Sequence, residues 1–323
     1  SPIELDLKRA LAIVDVQDFH QVLGDFEGRG LGAIFYQYIT TDNMDSNTNI
    51  VYIGQSGLSL PDEAYYREDE FAQIRSDFIE HVAKMFTLAR VENPDGRARK
   101  ILELETQIAS KHWDQVKDRD ALLTYNKMSF AQLKAASPGF DWETWQKTSK
   151  TPTKVMDSVI VRQPSFFTGI GELLKEFDLE AWSSWLAWHL LSGVSPYLSS
   201  EYVNENFAFY GTKLSGTPEL KARWKRGVGL VEGSLGEAVG QIYVEKHFPP
   251  EAKFRMVALV SNLIEAYRID IAALSWMTAE TKSKAFEKLD KFTPKIGYPD
   301  KWRDYSALEI TRDDLIGNLA RVT

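Results

Sequence analysis

The sequence predicts a mainly α protein, a multi-helix lobe with one small β-hairpin near the N-terminus. Three observations carry that reading. Apolar residues recur at three- and four-residue spacing over long runs: Phe71, Ile74, Phe78, Val82, Met85 and Ala89 in one, Val257, Val260, Ile264, Tyr267, Ile271 and Leu274 in another. β-Branched and aromatic residues concentrate in two early stretches, AIFYQYITT and NIVYIGQS. At 323 residues, 44% hydrophobic and 12% aromatic, the chain is long enough to bury a bulky core.

In chain order, residues 4–27 predict two short helices closed by the glycines of EGRGLG. The two strand-like stretches flank DNMDSNTN, which predicts a hairpin with a long polar loop. GLSLPDEAYY follows as a turn, and helices are expected from Glu68 and over DGRARKILELETQIASKHW. Pro138, Gly139 and Pro152 break residues 114–162 into short helical pieces, a connecting region. From Gln163 the chain is expected to be almost wholly helical, with Trp182, Trp185 and Trp188 crowded into one helix. A helix from about Ala222 to Glu245 precedes the bundle helix that begins after Pro249 and Pro250. Thr278 is the expected N-cap of the next helix, with Glu280 placed where a negative charge suits the helix dipole. GNLARVT predicts a last helix begun around Thr311. The expected organisation is residues 1–67 as short helices and hairpin, 68–305 as the helical lobe, and 306–323 as the start of a linker.

Composition narrows the function. Lys and Arg number 38 against 46 Asp and Glu, for a net charge of −8, and no basic block would attract a phosphate backbone, so nucleic acid is not an expected partner. The absence of cysteine excludes disulfides, thiolate metal sites and a cysteine nucleophile, and a cytoplasmic location is expected, with secretion as the alternative. Apolar windows are interrupted by charge before the ~20 residues of a membrane span, and SPIELDLKRALAIV shows no leader pattern, so neither anchor nor address is expected in this chain.

No catalytic constellation emerges from residue spacing. The five histidines, His20, His81, His112, His189 and His247, are far apart, so the helical pair four residues apart that grips zinc in HExxH enzymes is absent, and Glu80 with His81 supplies only half of it. GVGLVEG lacks the Gly-Lys-Ser/Thr ending of a phosphate cradle. Gly229, Gly233, Gly236 and Gly240 fall on one helical face and predict close approach of another helix backbone, since four helical glycines cost ~2–4 kcal/mol against alanine. Ser56 in GQSGL does not match a nucleophile elbow. Glu237, Gln241 and Glu245 share a helical face and are expected to be solvated or paired with Arg223, Arg226 or Lys246.

Several segments nonetheless carry a resemblance, in the same order and over nearly the whole chain. YIGQSGLSLPDEAYY (52–66), LLTYNKMSFAQL (122–133), FAFYGTKLSG (207–216), RWKRGVGLVEGSLGEAVGQIYVEKHFPPEAK (223–253) and LSWMTAETKSKAFEKLDKFTPKIGYPDKWRDY (274–305) resemble the neprilysin and endothelin-converting-enzyme family of zinc metallopeptidases. Animal relatives have cysteine where this chain has Gly227, so the resemblance is to a bacterial, cysteine-free member.

The resemblance implies a two-lobed enzyme whose mostly helical lobe covers a thermolysin-like catalytic lobe and encloses a cavity that admits oligopeptides. It implies a zinc endopeptidase using zinc-activated water with a glutamate base. The family's HExxH, its downstream glutamate ligand and its acid-stabilising histidine have no counterpart in this chain, so no catalytic, cofactor-binding or metal residue is assigned, and the chain alone is expected to hold no zinc and to be inactive. The expected partners are oligopeptide substrates and a C-terminal catalytic domain, toward which residues 306–323 would lead. NFAFYG (206–211) looks like the family's substrate-aligning strand but matches a different, helical family segment. GLSLPDEAYY is expected to be a rigid corner with Tyr65 and Tyr66 packed beneath it. The alternative is a free-standing helical module that binds peptides or a partner without catalysis.

Overall fold

The computed structural model describes residues 2–32, 34–176 and 178–322. The chain opens with α1 (Glu4–Leu11) and α2 (Val16–Gly28), the second capped by Asp15, whose carboxylate accepts from Asp18 N at 2.8 Å. Strands β1 (Phe35–Asp42) and β2 (Asp45–Gln55) then pair antiparallel, Phe35 opposite Gln55 and Thr40 opposite Ile50.

The hairpin's loop is shorter than its polar sequence predicts. Residues 45–49 extend β2, leaving Asn43 and Met44 between the strands, and the register shifts at Thr41/Asp42. Asp42 explains this. Its buried carboxylate accepts from Lys127 Nζ at 2.8 Å, Met44 N at 2.9 Å and the Tyr125 hydroxyl at 2.8 Å, and these donors hold it down to about 2. Two of the three donors lie more than eighty residues away.

Helices α3 (Ala64–Arg67), α4 (Ala72–Leu88), α5 (Pro94–Ala109) and α6 (Gln115–Asp118) follow. The connecting region contributes short helices, as expected, in α7 (Phe130–Ala136), α8 (Trp142–Ser149) and α9 (Thr153–Met156), and also two strands, β3 (Lys127–Ser129) and β4 (Ser158–Val161). β4 lies parallel to β2 and antiparallel to β3, so the hairpin becomes a four-stranded sheet ordered β1-β2-β4-β3. Strands this short carry too little alternation to be read from pattern. Then come α10 (Pro164–Lys175), α11 (Leu179–Val194), α12 (Ser200–Asn206) and a π-helix, Phe207–Leu214. NFAFYG is therefore helical in the structure.

The chain divides into two units. The first runs to Leu220 and includes Thr311–Arg321, where α16 (Leu315–Val322) places Ile316 against the core. That core is built from α2, α4, α5, α10 and α11, with Trp182, Trp185 and Trp188 all buried. α11 is apolar nearly all round because other elements enclose it.

The second unit, Lys221–Ile310, contains α13 (Arg223–His247), α14 (Pro250–Ala273) and α15 (Ala279–Asp290). Thr278 caps α15 as the sequence predicts, accepting from Thr281 N at 3.2 Å. None of its residues is buried.

Candidate functional site

The turn GLSLPDEAYY closes on a carboxylate absent from the turn itself. Glu105, on α5 and fully buried, accepts from Ser59 Oγ at 2.6 Å, Ser59 N at 3.0 Å and the Tyr66 hydroxyl at 2.5 Å, and meets His189 Nε2 at 3.0 Å. Tyr66 lies beneath the turn, its oxygen accepting from Ser59 N and Leu60 N at 3.0 and 2.9 Å. Burial and the neighbouring Glu105 push its phenol well above the ordinary value, so it stays a donor. Trp188 Nε1 donates to Ser59 Oγ at 2.8 Å and Trp185 Nε1 to the Gly57 carbonyl at 3.1 Å. Gly57 has φ +87°, which favours glycine. Tyr65 stacks on Phe71 at 4.0 Å. The corner is thus pinned to α5 and α11 by hydrogen bonds, and its polar groups are spent on structure.

The histidines are dispersed. His20 sits 2.6 Å from the Val16 carbonyl and accepts from Asp141 N at 3.1 Å. His81 meets Glu205 at 3.0 Å, His112 the Ser56 carbonyl at 2.9 Å, and His189 Glu105. His247 packs beside Tyr243, ring centres 5.0 Å apart. Burial lowers His20, His81 and His112 below the ordinary imidazole value, His112 to about 4. Among the described residues no three His, Asp or Glu side chains converge as a metal would require.

The glycine face of α13 departs from expectation. Among the described residues nothing lies within 4 Å of a Cβ built on Gly229, Gly233 or Gly236, and Gly240 meets only the Trp302 indole, at 3.6 Å. The helix also breaks regularity at Leu235 (φ −128°, ψ 34°), in the middle of the stripe. A cavity of about 450 Å³ opens beside it, lined by Gly236, Gly240, Tyr243, Phe248, Tyr298 and Trp302. Glu237 turns to the loop and accepts from Arg303 N at 2.7 Å. This glycine-walled, aromatic-rimmed face is the candidate surface of the second unit. In the same unit Trp224, Phe254 and Trp276 are 68%, 75% and 74% exposed.

Spacing alone overlooked Glu105, although a signal existed. It follows Ile101 by four residues on the buried face of α5, where a charged residue must find partners. Asp42 and Glu205 gave no comparable signal.

No described helix is long and apolar enough to cross a membrane. The model of peptidase family M13, N-terminal part, matches residues 1–299. Mouse endothelin-converting enzyme 1 is 27% identical over 290 residues, covering 87% of this chain and 37% of that protein. The neutral endopeptidase of Lactobacillus helveticus is 26% identical over 303 residues, covering 93% and 46%. The open-state structure of the Mycobacterium tuberculosis zinc metalloprotease Zmp1 superposes with a TM-score of 0.91 at 43% identity, covering 99% of this chain and 50% of that one. The chain thus spans half or less of the length of these relatives. With the family model matched over 1–299 and the helical fold shared with Zmp1, this chain belongs to peptidase family M13.

Proposed function

We propose that this chain is the non-catalytic helical portion of a zinc-dependent endopeptidase, and that it encloses the cavity in which oligopeptides are cut and restricts access to it. Zinc and the cutting groups would then lie in a further part of the protein, a catalytic domain of the kind its relatives' length leaves room for. The observation that carries this reading is the second unit. Three helices that bury no residue, with Trp224 on α13, Phe254 on α14 and Trp276 in the bend before α15 all exposed, are half of an interface, since covering each large apolar side chain is worth about 1.5–3 kcal/mol. The glycine face of α13 fits the same role, as a wall against which another backbone can close.

A second reading, a free-standing peptide-binding module, draws on the open aromatic cavity between α13 and the 297–302 loop.

Two measurements decide between them. The purified chain is expected to bind no stoichiometric zinc and to leave peptides intact; one zinc per chain with chelator-sensitive cleavage would overturn the proposal. In source cells, an antibody to residues 295–305 is expected to detect a species much heavier than 36.8 kDa. A species of that same mass favours the free-standing module.

A further inference from the structure

The last element of the first unit before the link to α13 is the π-helix Phe207–Leu214, and one buried histidine packs against it. His81 on α4 is 2% exposed. Its ring stacks on Phe209 at 4.8 Å and 9°, and meets Tyr210 and Trp188 edge to face at 5.5 Å each. Its Nδ1 lies 3.0 Å from Glu205 Oε1, on the helix that runs into the π-helix, while its Nε2 is buried without a hydrogen-bond partner. A carboxylate only accepts, so Nδ1 carries the ring proton and Nε2 is left as a bare lone pair among aromatic rings. That arrangement tolerates a neutral ring. A second proton would sit on Nε2 in a cage without an acceptor.

We propose that His81 and Glu205 form an acid-sensitive latch that fixes the π-helical segment through which the chain leaves its first unit, and that protonation of His81 releases it. π-Helical turns are rare and occur mostly as single turns, frequently at functional sites. Beyond the segment, Ser215 Oγ donates to the Tyr210 carbonyl at 2.7 Å and Gly216 turns with φ +66°.

The surrounding charges are consistent with this assignment. Glu205 on α12, Lys84 on α4 and Lys213 on the π-helix act on the ring, with Tyr210 against it and Glu105 acting on Tyr210; Glu80 and Glu201 line the groove that Glu205 and Lys84 share. Lys213 is paired with Asp77 at 2.6 Å, and Lys84 is 4.0 Å from Glu205. Burial lowers the ring's affinity for a proton, Glu205 raises it, and Lys84 and Lys213 lower it further; the balance is downward. A histidine with a depressed folded value contributes stability above its unfolded value, near 6.5, and loses it as pH falls toward the folded one. Over that window the opening constant of the segment rises up to about tenfold per pH unit.

The test is amide hydrogen exchange by mass spectrometry on the 323-residue chain at pH 7.5 and 5.5, corrected for intrinsic rates. Peptides covering 205–217 should lose protection several-fold at pH 5.5 while those of α5 keep theirs. H81F preserves the stack and removes the proton, and should make the 205–217 profile flat. E205Q keeps an acceptor but removes the supporting charge, and should extend the loss to lower pH. Independently, ring ¹⁵N shifts should show the Nδ1–H tautomer at pH 7.5. A wild-type profile indifferent to pH, an H81F profile like that of wild type, or an Nε2–H tautomer would each overturn the latch.

Discussion

Trp188 on α11 is buried to 0% exposure, whereas Trp276, in the bend between α14 and α15, is 74% exposed. The contrast holds for the two units as wholes. The first encloses most of its tryptophans and phenylalanines in a continuous core and ties the polar groups of the corner at Ser59 and Tyr66 to Glu105. The second has three long helices, one of them irregular at Leu235, but buries no residue. Secondary structure and a completed core are therefore separate achievements: helix periodicity prepares a face, and only a facing element turns it into stability.

The largest expected effect breaks that comparison directly. Trp188→Ala removes a buried indole and its bond to Ser59, and should cost about 3–5 kcal/mol in urea unfolding. Trp276→Ala in the same chain should change stability by less than about 0.5 kcal/mol. An equal cost at Trp276 would show that the second unit has a core of its own.

Glycines sharpen the comparison at smaller scale. A Cβ at Gly139 would collide with the Gly171 carbonyl, so Gly139→Ala should cost about 1–3 kcal/mol. Gly229→Ala meets nothing within 4 Å and should stabilise α13 by up to about 1 kcal/mol. In a longer protein whose remaining half closes on α13, the same substitution should lose that gain, and thermal unfolding of the two forms checks it.

The remaining effects concern pH within the first unit. Asp42, held at about 2 by Lys127, Met44 N and Tyr125, contributes stability that is present above its ordinary value of 3.8 and lost as pH falls toward 2. Glu27 is opposite in sign. Burial raises it from 4.5 to about 8 despite hydrogen bonds from Ile34 N and Trp145 Nε1, so stability declines as pH rises from about 4.5 to 8. Urea midpoints across pH 2–8 should show both arms, with D42N flattening the acid arm and E27Q the alkaline one.

Much of the architecture was legible. The first two helices, the long helices α4, α5, α11 and α14, and the Thr278 cap follow from spacing and capping chemistry that act over a few residues. The hairpin was legible as a pair of strands but not in its turn, because Asp42 takes its donors from Tyr125 and Lys127. β3 and β4 escaped because three and four residues carry too little pattern, and the irregularity at Leu235 because no proline announces it. The site was less legible than the fold. The corner's glycines and Tyr66 were visible, but Glu105 lies 46 residues from Ser59, and the pairing of His81 with Glu205 spans 124.

By itself the sequence determined the helical class, the absence of thiol chemistry and the membership in a metallopeptidase family, because composition, local periodicity and family segments are properties of neighbouring residues. Tertiary structure alone decided which polar groups became structural, that Glu105 would anchor the corner, that His81 would hold a π-helix with one nitrogen unpaired, and that the glycine face of α13 would stand open. The reason is distance along the chain. Burial and hydrogen-bond partnership are set by groups that meet only after folding, and no local pattern encodes which distant donor or backbone will arrive.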